Sequence, residues 1–185
     1  MTGFYFTLLA VLLSGFGARD QATVAGLAGR QGARPGVLVV ALAVAAATAA
    51  FAAWAATFVI PLLVPKARMI MAAMALAFAG AEALLLGARR RPEEPTASLG
   101  ALAIVLTAHQ LTDAARFLVF AIAVASAAPL PAGLAGAVGG GVLLAAAWAM
   151  PEAIGHRRVR LARRVIGAAL LALAAFVALQ AFGRI

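Results

Sequence analysis

The sequence predicts an all-α integral membrane protein, with six transmembrane helices that form two inverted three-helix repeats. Three observations lead to this prediction: an extreme apolar composition, six apolar segments of membrane-spanning length, and similarity between the two halves. Of the 185 residues, 65% are hydrophobic and 11% are charged. Because a soluble domain is only about half apolar, the excess is expected to face lipid. The lipid bilayer is therefore the first predicted partner of the chain.

Apolar segments of roughly 20 residues have the length that a helix needs to cross a bilayer. Short polar or proline-containing links separate six such segments, and the longest link, 89–97, lies near the middle of the chain. We interpret it as a cytoplasmic linker between a first repeat, 1–88, and a second repeat, 98–185. In chain order, the predicted spans are residues 3–28, 36–64, 67–88, 98–127, 131–151 and 162–183.

The two halves share short matches at a nearly constant separation. The pairs, 94 to 96 residues apart, are AAWA at 52–55 and 146–149, a polar break at 16–21 and 111–116, and LGAR at 86–89 with FGRI at 182–185. Because each match falls in the corresponding helix of its half, we infer a duplicated three-helix unit. Three spans per unit is an odd number, so the second copy must be inverted, as in many secondary transporters.

Basic residues are distributed unequally between the two ends of the predicted spans. Lys66, Arg68 and Arg184 lie on one side of the membrane, and ten arginines lie on the other. By the positive-inside rule the arginine-rich loops are cytoplasmic, which places both termini outside, in a bacterial-type inner membrane. The ten are Arg30, Arg34, Arg89, Arg90, Arg91, Arg157, Arg158, Arg160, Arg163 and Arg164.

This distribution also accounts for the net charge of +9. Arginines at the ends of spans are topology signals, so no nucleic-acid partner is predicted. The chain has no cysteine, which excludes disulfides and thiolate metal sites. The sequence contains no nucleophile–base set and no phosphate-binding loop, so we predict neither an enzyme nor a bound cofactor.

Two polar clusters interrupt the apolar spans. A charged side chain at the centre of a transmembrane helix costs about 2.5–3.5 kcal/mol, so such residues usually face a partner or an aqueous cavity. In the first span, Gly15 and Gly17 favour a break in the helix. In the fourth, residues spaced by three and four can share one helix face. The clusters are Arg19, Asp20 and Gln21 in the first span and His109, Gln110, Asp113 and Arg116 in the fourth.

Structural interpretations of these clusters stay open alongside the functional one. Arg19 and Asp20 could mark the cytoplasmic end of a short first helix. Asp113 and Arg116 could form an internal ion pair that joins two helices.

Other charged residues are expected to be structural. Glu82 lies within two helical turns of Arg89 and is expected to reach the cytoplasmic interface. Glu152 and His156 lie beside arginines in a segment expected to be a solvated loop. The basic segment HRRVRLARR, residues 156–164, is expected to anchor the last span and to attract anionic lipid.

The layout of the chain resembles the GDT family, membrane exchangers of calcium or manganese against protons within the lysine-exporter superfamily. Members of that family have two inverted three-helix repeats, with the motif E-x-G-D-[KR]-[ST] in the first helix of each. The stretch GFGARDQATVAGLAGRQGARPGVLVVALA resembles the first motif and the helix that follows it. Gly17 matches the motif glycine, Arg19 the basic residue, and Gln21 a glutamine that commonly follows.

The departures from this motif fall at its acidic positions. Gly15 stands in place of the glutamate, Ala18 in place of the aspartate, and Asp20 at the hydroxyl position. In the second copy only the aspartate matches, and the corresponding residues are Gln110, Thr112, Asp113 and Ala114.

These departures change the charge of the implied site. Two intact motifs would carry two more negative than positive charges, whereas Asp20, Asp113, Arg19 and Arg116 sum to zero. Calcium and manganese prefer several hard oxygen ligands and compensating negative charge. The resemblance therefore implies a divalent-cation site that is weakened in this chain.

We interpret the chain as a secondary membrane transporter that resembles calcium or manganese/proton exchangers. Asp113 is the predicted principal carboxylate for the cation or proton, and Asp20 is its weaker counterpart. The other predicted site residues supply neutral oxygens (Gln110, Thr112 and Gln21) or gate and pair charges (Arg19, Arg116 and His109). Two alternatives remain open: an exporter of the same fold for another small solute, held by the two arginines, and a membrane scaffold that does not transport.

This interpretation predicts two structural features. The first and fourth spans lie side by side at the centre of the molecule. Asp113 is buried and lies within pairing distance of Arg116, Arg19 or both, because an isolated buried charge is costly.

Overall fold

The computed structural model describes residues 2–85, 98–155 and 157–183, and within these ranges every regular element is helical. The predicted all-α fold class is thus confirmed. The helices are α1 Thr2–Gly15, α2 Arg19–Gln31, α3 Pro35–Val59, α4 Pro65–Leu85, α5 Leu99–Leu111, α6 Ala114–Ser126, α7 Pro129–Ala149 and α8 Arg157–Ala181.

Local sequence signals explain where several of these helices begin. Proline occupies the first position of α3, α4 and α7, where its missing amide hydrogen costs no helical hydrogen bond. Ser98 caps α5, because its hydroxyl accepts a hydrogen bond from the Ala101 amide at 3.3 Å.

Four helices are long and apolar enough to cross a membrane by length and composition: Pro35–Leu62, Pro65–Leu85, Pro129–Ala149 and Arg158–Ala181. Together α5 and α6 pass the same test as one broken span, bent by 54°. Gly3–Gly15 in α1 is apolar but shorter. The described residues therefore provide four to five candidate crossings, as expected of a multi-pass membrane protein.

Most predicted spans coincide with these helices. The second, third, fifth and sixth correspond to α3, α4, α7 and α8 within a few residues, and the fourth corresponds to α5 and α6 together. The predicted first span, 3–28, is two helices, and α2 is the more polar one. The predicted linker 89–97, the LGAR match and His156 lie outside the described residues.

The helices pack in a pattern that brings the two broken segments together. α3 packs against α7 and α4 against α8, while α6 contacts α1, α3, α4 and α7. α1 lies against α6 and α2 against α5, so the predicted first and fourth spans are adjacent. This adjacency was one of the two structural features that the sequence predicted.

Small residues let the paired helices approach closely. A Cβ atom added at Gly80 of α4 would lie 2.8 Å from the carbonyl oxygen of Gly167 in α8. One added at Gly167 would lie 3.0 Å from the carbonyl oxygen of Gly80. The backbones of α4 and α8 therefore touch here, as in other small-residue interfaces between membrane helices.

This contact predicts that Gly80→Ala destabilises the protein. The added methyl group meets backbone rather than a flexible side chain, so we expect a loss of about 1–3 kcal/mol in the free energy of unfolding, as for other overpacked cores. Gly100→Ala is the matched control, because the nearest atom to its added Cβ is 3.8 Å away. The measurement is thermal unfolding in detergent, and equal stability of the two variants would contradict the close packing.

Candidate functional site

The two breaks in the helices lie next to each other. Three residues separate α1 from α2, and two separate α5 from α6. Across them, Arg19 Nη2 donates to Thr112 Oγ1 at 2.8 Å, and Gln110 Nε2 donates to Asp20 Oδ2 at 3.1 Å. The residues that the sequence singled out in the first and fourth spans therefore belong to one region of the molecule.

Gln21 holds the first break, residues 16–18, in shape. Gly17 has a φ of 74°, a left-handed conformation that glycine adopts without strain. The Gln21 side chain accepts from the Gly17 amide at 3.1 Å and donates to the Gly15 carbonyl. Gln21 was predicted as an oxygen ligand, but both ends of its amide are used within the break.

Two carboxylates meet the beginning of α6. Asp113 is the N-cap, and its Oδ2 accepts from the Ala115 amide at 3.3 Å. Glu82 Oε2, from α4, accepts from the Ala114 amide at 3.3 Å. Both carboxylates therefore bind amides at the start of α6 that have no partner within the helix.

Glu82 and Arg163 form the shortest ion pair among the described residues. Their atoms Oε2 and Nη2 are 2.5 Å apart, and the two residues are 5% and 3% exposed. Arg163 Nη1 also donates to the Ser14 carbonyl at 3.2 Å, and Arg19 Nε lies 3.5 Å from Glu82 Oε1. We call Ser14, Arg19, Glu82, Asp113 and Arg163 the Glu82 cluster.

These positions correct one prediction. Arg163 was expected in a basic anchor that contacts lipid, but it is buried beside the helix breaks. Glu82, which was expected to be structural, is buried too, because α4 and α8 pack closely enough for its side chain to meet that of Arg163.

Asp113 is buried, at 5% exposure, as the sequence predicted, but its partner differs. It pairs with Arg163, with 3.4 Å between Oδ1 and Nη2. In the described ranges no ion pair joins Asp113 to Arg116 or Arg19. The N-cap geometry turns the Asp113 side chain back onto α6, whereas Arg116, one turn later, bonds to acceptors on α3 and α5.

Arg116 is the centre of a second network, which also contains Thr48, Gln110 and Asp20. Arg116 Nε donates to Thr48 Oγ1 at 2.8 Å, and Nη2 donates to the Ala45 carbonyl at 3.2 Å and to Gln110 Oε1 at 3.3 Å. Thr48 Oγ1 also donates to Gln110 Oε1 at 2.8 Å. Asp20 joins through Gln110 Nε2, and its Oδ1 accepts from the Gln21 amide at 2.7 Å. We call these four residues the Arg116 network.

The remaining predicted residues lie at the edge of the site. His109 is partly buried, and its Nδ1 lies 3.4 Å from Thr23 Oγ1. Thr112 is exposed and accepts from Arg19 through both its hydroxyl and its carbonyl. His109 and Thr112 therefore contact α2 across the break.

Buried polar atoms without a hydrogen bond concentrate in the Glu82 cluster. Buried side-chain atoms of the described residues that lack a hydrogen-bond partner are Ser14 Oγ, Arg19 Nε, Glu82 Oε1 and Arg163 Nε. All four belong to one cluster, whereas buried polar atoms in folded proteins are nearly always bonded. Two of the four, Arg19 Nε and Glu82 Oε1, face each other as an ion pair at 3.5 Å, so the incomplete bonding lies mainly at Ser14 Oγ and Arg163 Nε.

The site is electrically balanced and poorly suited to a divalent cation. Asp20, Glu82 and Asp113 face Arg19, Arg116 and Arg163, so the charges sum to zero. No group of three or more His, Asp or Glu side chains in the described ranges is arranged to hold a metal ion. The predicted metal ligands Asp113 and Asp20 belong to different networks.

Four members of the site were not predicted from the sequence: Glu82, Arg163, Thr48 and Ser14. Glu82 is a lone carboxylate in an apolar span, a signal that would have sufficed. Arg163 stands among other arginines in HRRVRLARR, and composition does not distinguish it from its neighbours.

Comparisons with known proteins yield no relative. No protein-family model matches the chain, and no curated protein or solved structure is significantly similar to it.

The buried ion pair predicts a large difference between neighbouring arginines. Arg163→Met leaves Glu82 and Asp113 without their main partner, so we expect a loss of about 3–5 kcal/mol in unfolding free energy. The exposed neighbour provides the control, and Arg164→Met should change stability by less than about 0.5 kcal/mol. Unfolding of both variants in detergent measures the difference.

A double variant tests whether the loss comes from an unpaired charge. Arg163→Met with Glu82→Met removes both members of the pair, and we expect it to be more stable than Arg163→Met alone. Additive losses would show instead that the two residues contribute independently.

Proposed function

We propose that this chain is a secondary membrane transporter whose substrate and coupling protons meet at the adjacent helix breaks. The observation that carries the proposal is the concentration of ionisable groups there. Three carboxylates and three guanidinium groups, five of them on residues at most 8% exposed, surround the junction of α2, α4, α6 and α8. Interrupted helices and buried ionisable side chains are how many secondary transporters build a binding site.

The contacts between helices support two related repeats. If α1–α4 correspond to α5–α8, each contact between two helices should recur between their counterparts. α1 packs on α7 as α5 packs on α3, and α2 packs on α7 as α6 packs on α3. The contacts α1–α6 and α2–α5 correspond in the same way, as do α2–α3 and α6–α7. Exchanging the two halves leaves the pairs α3–α7 and α4–α8 unchanged, because each joins a helix to its own counterpart. Most of the contacts thus follow a pseudo-two-fold axis between two halves, whereas the extensive contact of α4 with α6 has no comparable counterpart between α8 and α2 in the described residues.

We therefore propose six crossings, with α1 and α2 as the first, broken span and α5 and α6 as the fourth. An odd number of spans in each half makes the repeats inverted. The positive-inside rule then places the arginine-rich loops in the cytoplasm of a bacterial-type cell, with both termini outside.

The resemblance to GDT exchangers suggests calcium or manganese/proton exchange as the inherited activity. In this chain we propose that this activity is weak, because the carboxylates already have partners. Asp113 and Glu82 bind Arg163 and backbone amides of α6, and Asp20 binds Gln110 and a backbone amide. A cation would have to displace arginine to reach them.

Packing at the first motif also supports a weakened site. A Cβ atom added at Gly15, where the family motif has glutamate, would lie 2.7 Å from Leu143 Cδ1 of α7. Ala18, where the motif has aspartate, is 1% exposed. The space for the missing acidic side chains is thus filled by apolar packing.

We predict slow manganese uptake that depends on Asp113. In proteoliposomes with a pH gradient, the native chain should take up manganese above the protein-free background. Asp113→Asn should lower the initial rate at least about tenfold. The substitution removes a carboxylate ligand of the cation and one of the two carboxylates that pair with Arg163. Glu152→Gln, which changes an exposed loop carboxylate, is the matched control and should retain the native rate.

The alternatives predict other outcomes of this assay. Manganese uptake that survives Asp113→Asn and Glu82→Gln would place the transport path elsewhere. No uptake by the native chain would refute cation exchange and leave transport of another solute. If neither metal ions nor protons nor organic ions cross, the charges only join helices, and the chain is a membrane scaffold.

Restoring the motif should raise manganese uptake only if space is made for it. We expect the triple variant Gly15→Glu, Ala18→Asp and Leu143→Ala to exceed the native initial rate at least about tenfold, because two oxygen ligands and two negative charges are added. The double variant that keeps Leu143 should gain less, because the added glutamate meets this side chain. Leu143→Ala alone is the control, and a triple variant no faster than native would refute the inherited cation site.

A further inference from the structure

The last helix, α8, presents more of its surface to its surroundings than the other long apolar helices do. Of its apolar stretch 17% is buried inside the molecule, against 44% in each of α3, α4 and α7. Val159, Arg163 and Gly167 are buried, and their spacing of four residues places them on one side of the helix. This inner side meets the rest of the molecule, and the described residues leave most of the remaining surface of α8 uncovered.

Two arginines, Arg160 and Arg164, lie one turn apart near the beginning of this outward surface. Both are exposed, and within the described residues neither takes part in an ion pair. Side chains four residues apart on a helix are neighbours, and two like charges at this spacing repel each other. An anion that binds to both guanidinium groups removes this repulsion, so the pair is suited to an anionic partner.

Apolar side chains continue the outward surface beside the two arginines. Leu161 and Val165, each the next residue after one of the arginines, are 63% and 62% exposed. Phe176, about three turns after Val165, is 50% exposed. The surface therefore combines a double positive charge at the start of a membrane-spanning helix with an apolar strip along it. An anionic phospholipid has the complementary pattern, with a negative headgroup joined to apolar chains.

We propose that Arg160 and Arg164 bind the phosphate of one anionic phospholipid, whose acyl chains lie along Leu161 and Val165. Guanidinium groups donate paired hydrogen bonds to phosphate oxygens, which gives the site its geometry. A second copy of the chain fits this surface less well, because two α8 helices side by side would bring four arginines together. The sequence predicted a general attraction of residues 156–164 to anionic lipid, whereas the proposed site is a specific one. It goes beyond the proposed function, because lipid binding requires no transport.

Native mass spectrometry of the full chain in a neutral detergent tests the proposal. Dioleoylphosphatidylglycerol is the anionic probe, and dioleoylphosphatidylcholine, which has the same acyl chains and no net charge, is the control lipid. We expect the first phosphatidylglycerol bound to each chain to be held at least about tenfold more tightly than phosphatidylcholine, because two arginines contribute to its binding. Equal binding of the two lipids would overturn the proposal. A dimer without bound lipid would also overturn it, because a second copy would then cover α8.

Two double variants locate the site. Arg160→Gln with Arg164→Gln should weaken binding of the first phosphatidylglycerol at least about tenfold, because both phosphate donors are lost. Arg30→Gln with Arg34→Gln removes the same charge from another exposed segment and should retain native binding. Because all four arginines are exposed, both variants should unfold at the native temperature in detergent without lipid. Equal losses of binding in the two variants would show a diffuse attraction of charge and overturn the assigned site.

Discussion

The contact between Glu82 and Arg163 is the constraint on which the rest of the site depends. Charges this deep in an apolar protein are tolerated when they are paired with opposite charges. Glu82 meets that requirement for three elements at once, because it binds Arg163 of α8, the first amide of α6, and Arg19 of α2. Without it, two arginines and the start of α6 would lose a shared anion, so the positions of these helices depend on one side chain of α4.

The helix breaks provide the backbone amides that the buried carboxylates bind. A break exposes amide groups that an unbroken helix would use internally, and they attract negative charge. Asp113 and Glu82 occupy the start of α6, and Asp20 lies in the first turn of α2. In many transporters such half-helix ends face a substrate, whereas here the chain's own carboxylates fill them. The arginines in turn neutralise those carboxylates, which is why a site rich in acid groups is unfavourable for a metal ion.

The positions of the helices and of both breaks could be predicted from the sequence. The length of an apolar segment, and the glycine or polar residues that interrupt it, are local features of the chain. It could not pair the charges, because pairing depends on which face of each helix turns inward. Arg163 and Arg164 are adjacent and identical in type, yet the first is buried and the second exposed. Val159, four residues before Arg163, is also buried, so the helical period is the signal that separates them. For Glu82, proximity to Arg89 in the sequence did not reveal that its partner is Arg163, because that contact forms only when α4 packs on α8.

The touching backbones of Gly80 and Gly167 constrain how α4 and α8 can move. Where a carbonyl oxygen of one helix meets the Cα of another, sliding along the axis is blocked within a fraction of an ångström. Rotation about the point of contact is not blocked in this way. The contact therefore fixes the height of α4 relative to α8, while the angle between the two helices is less constrained.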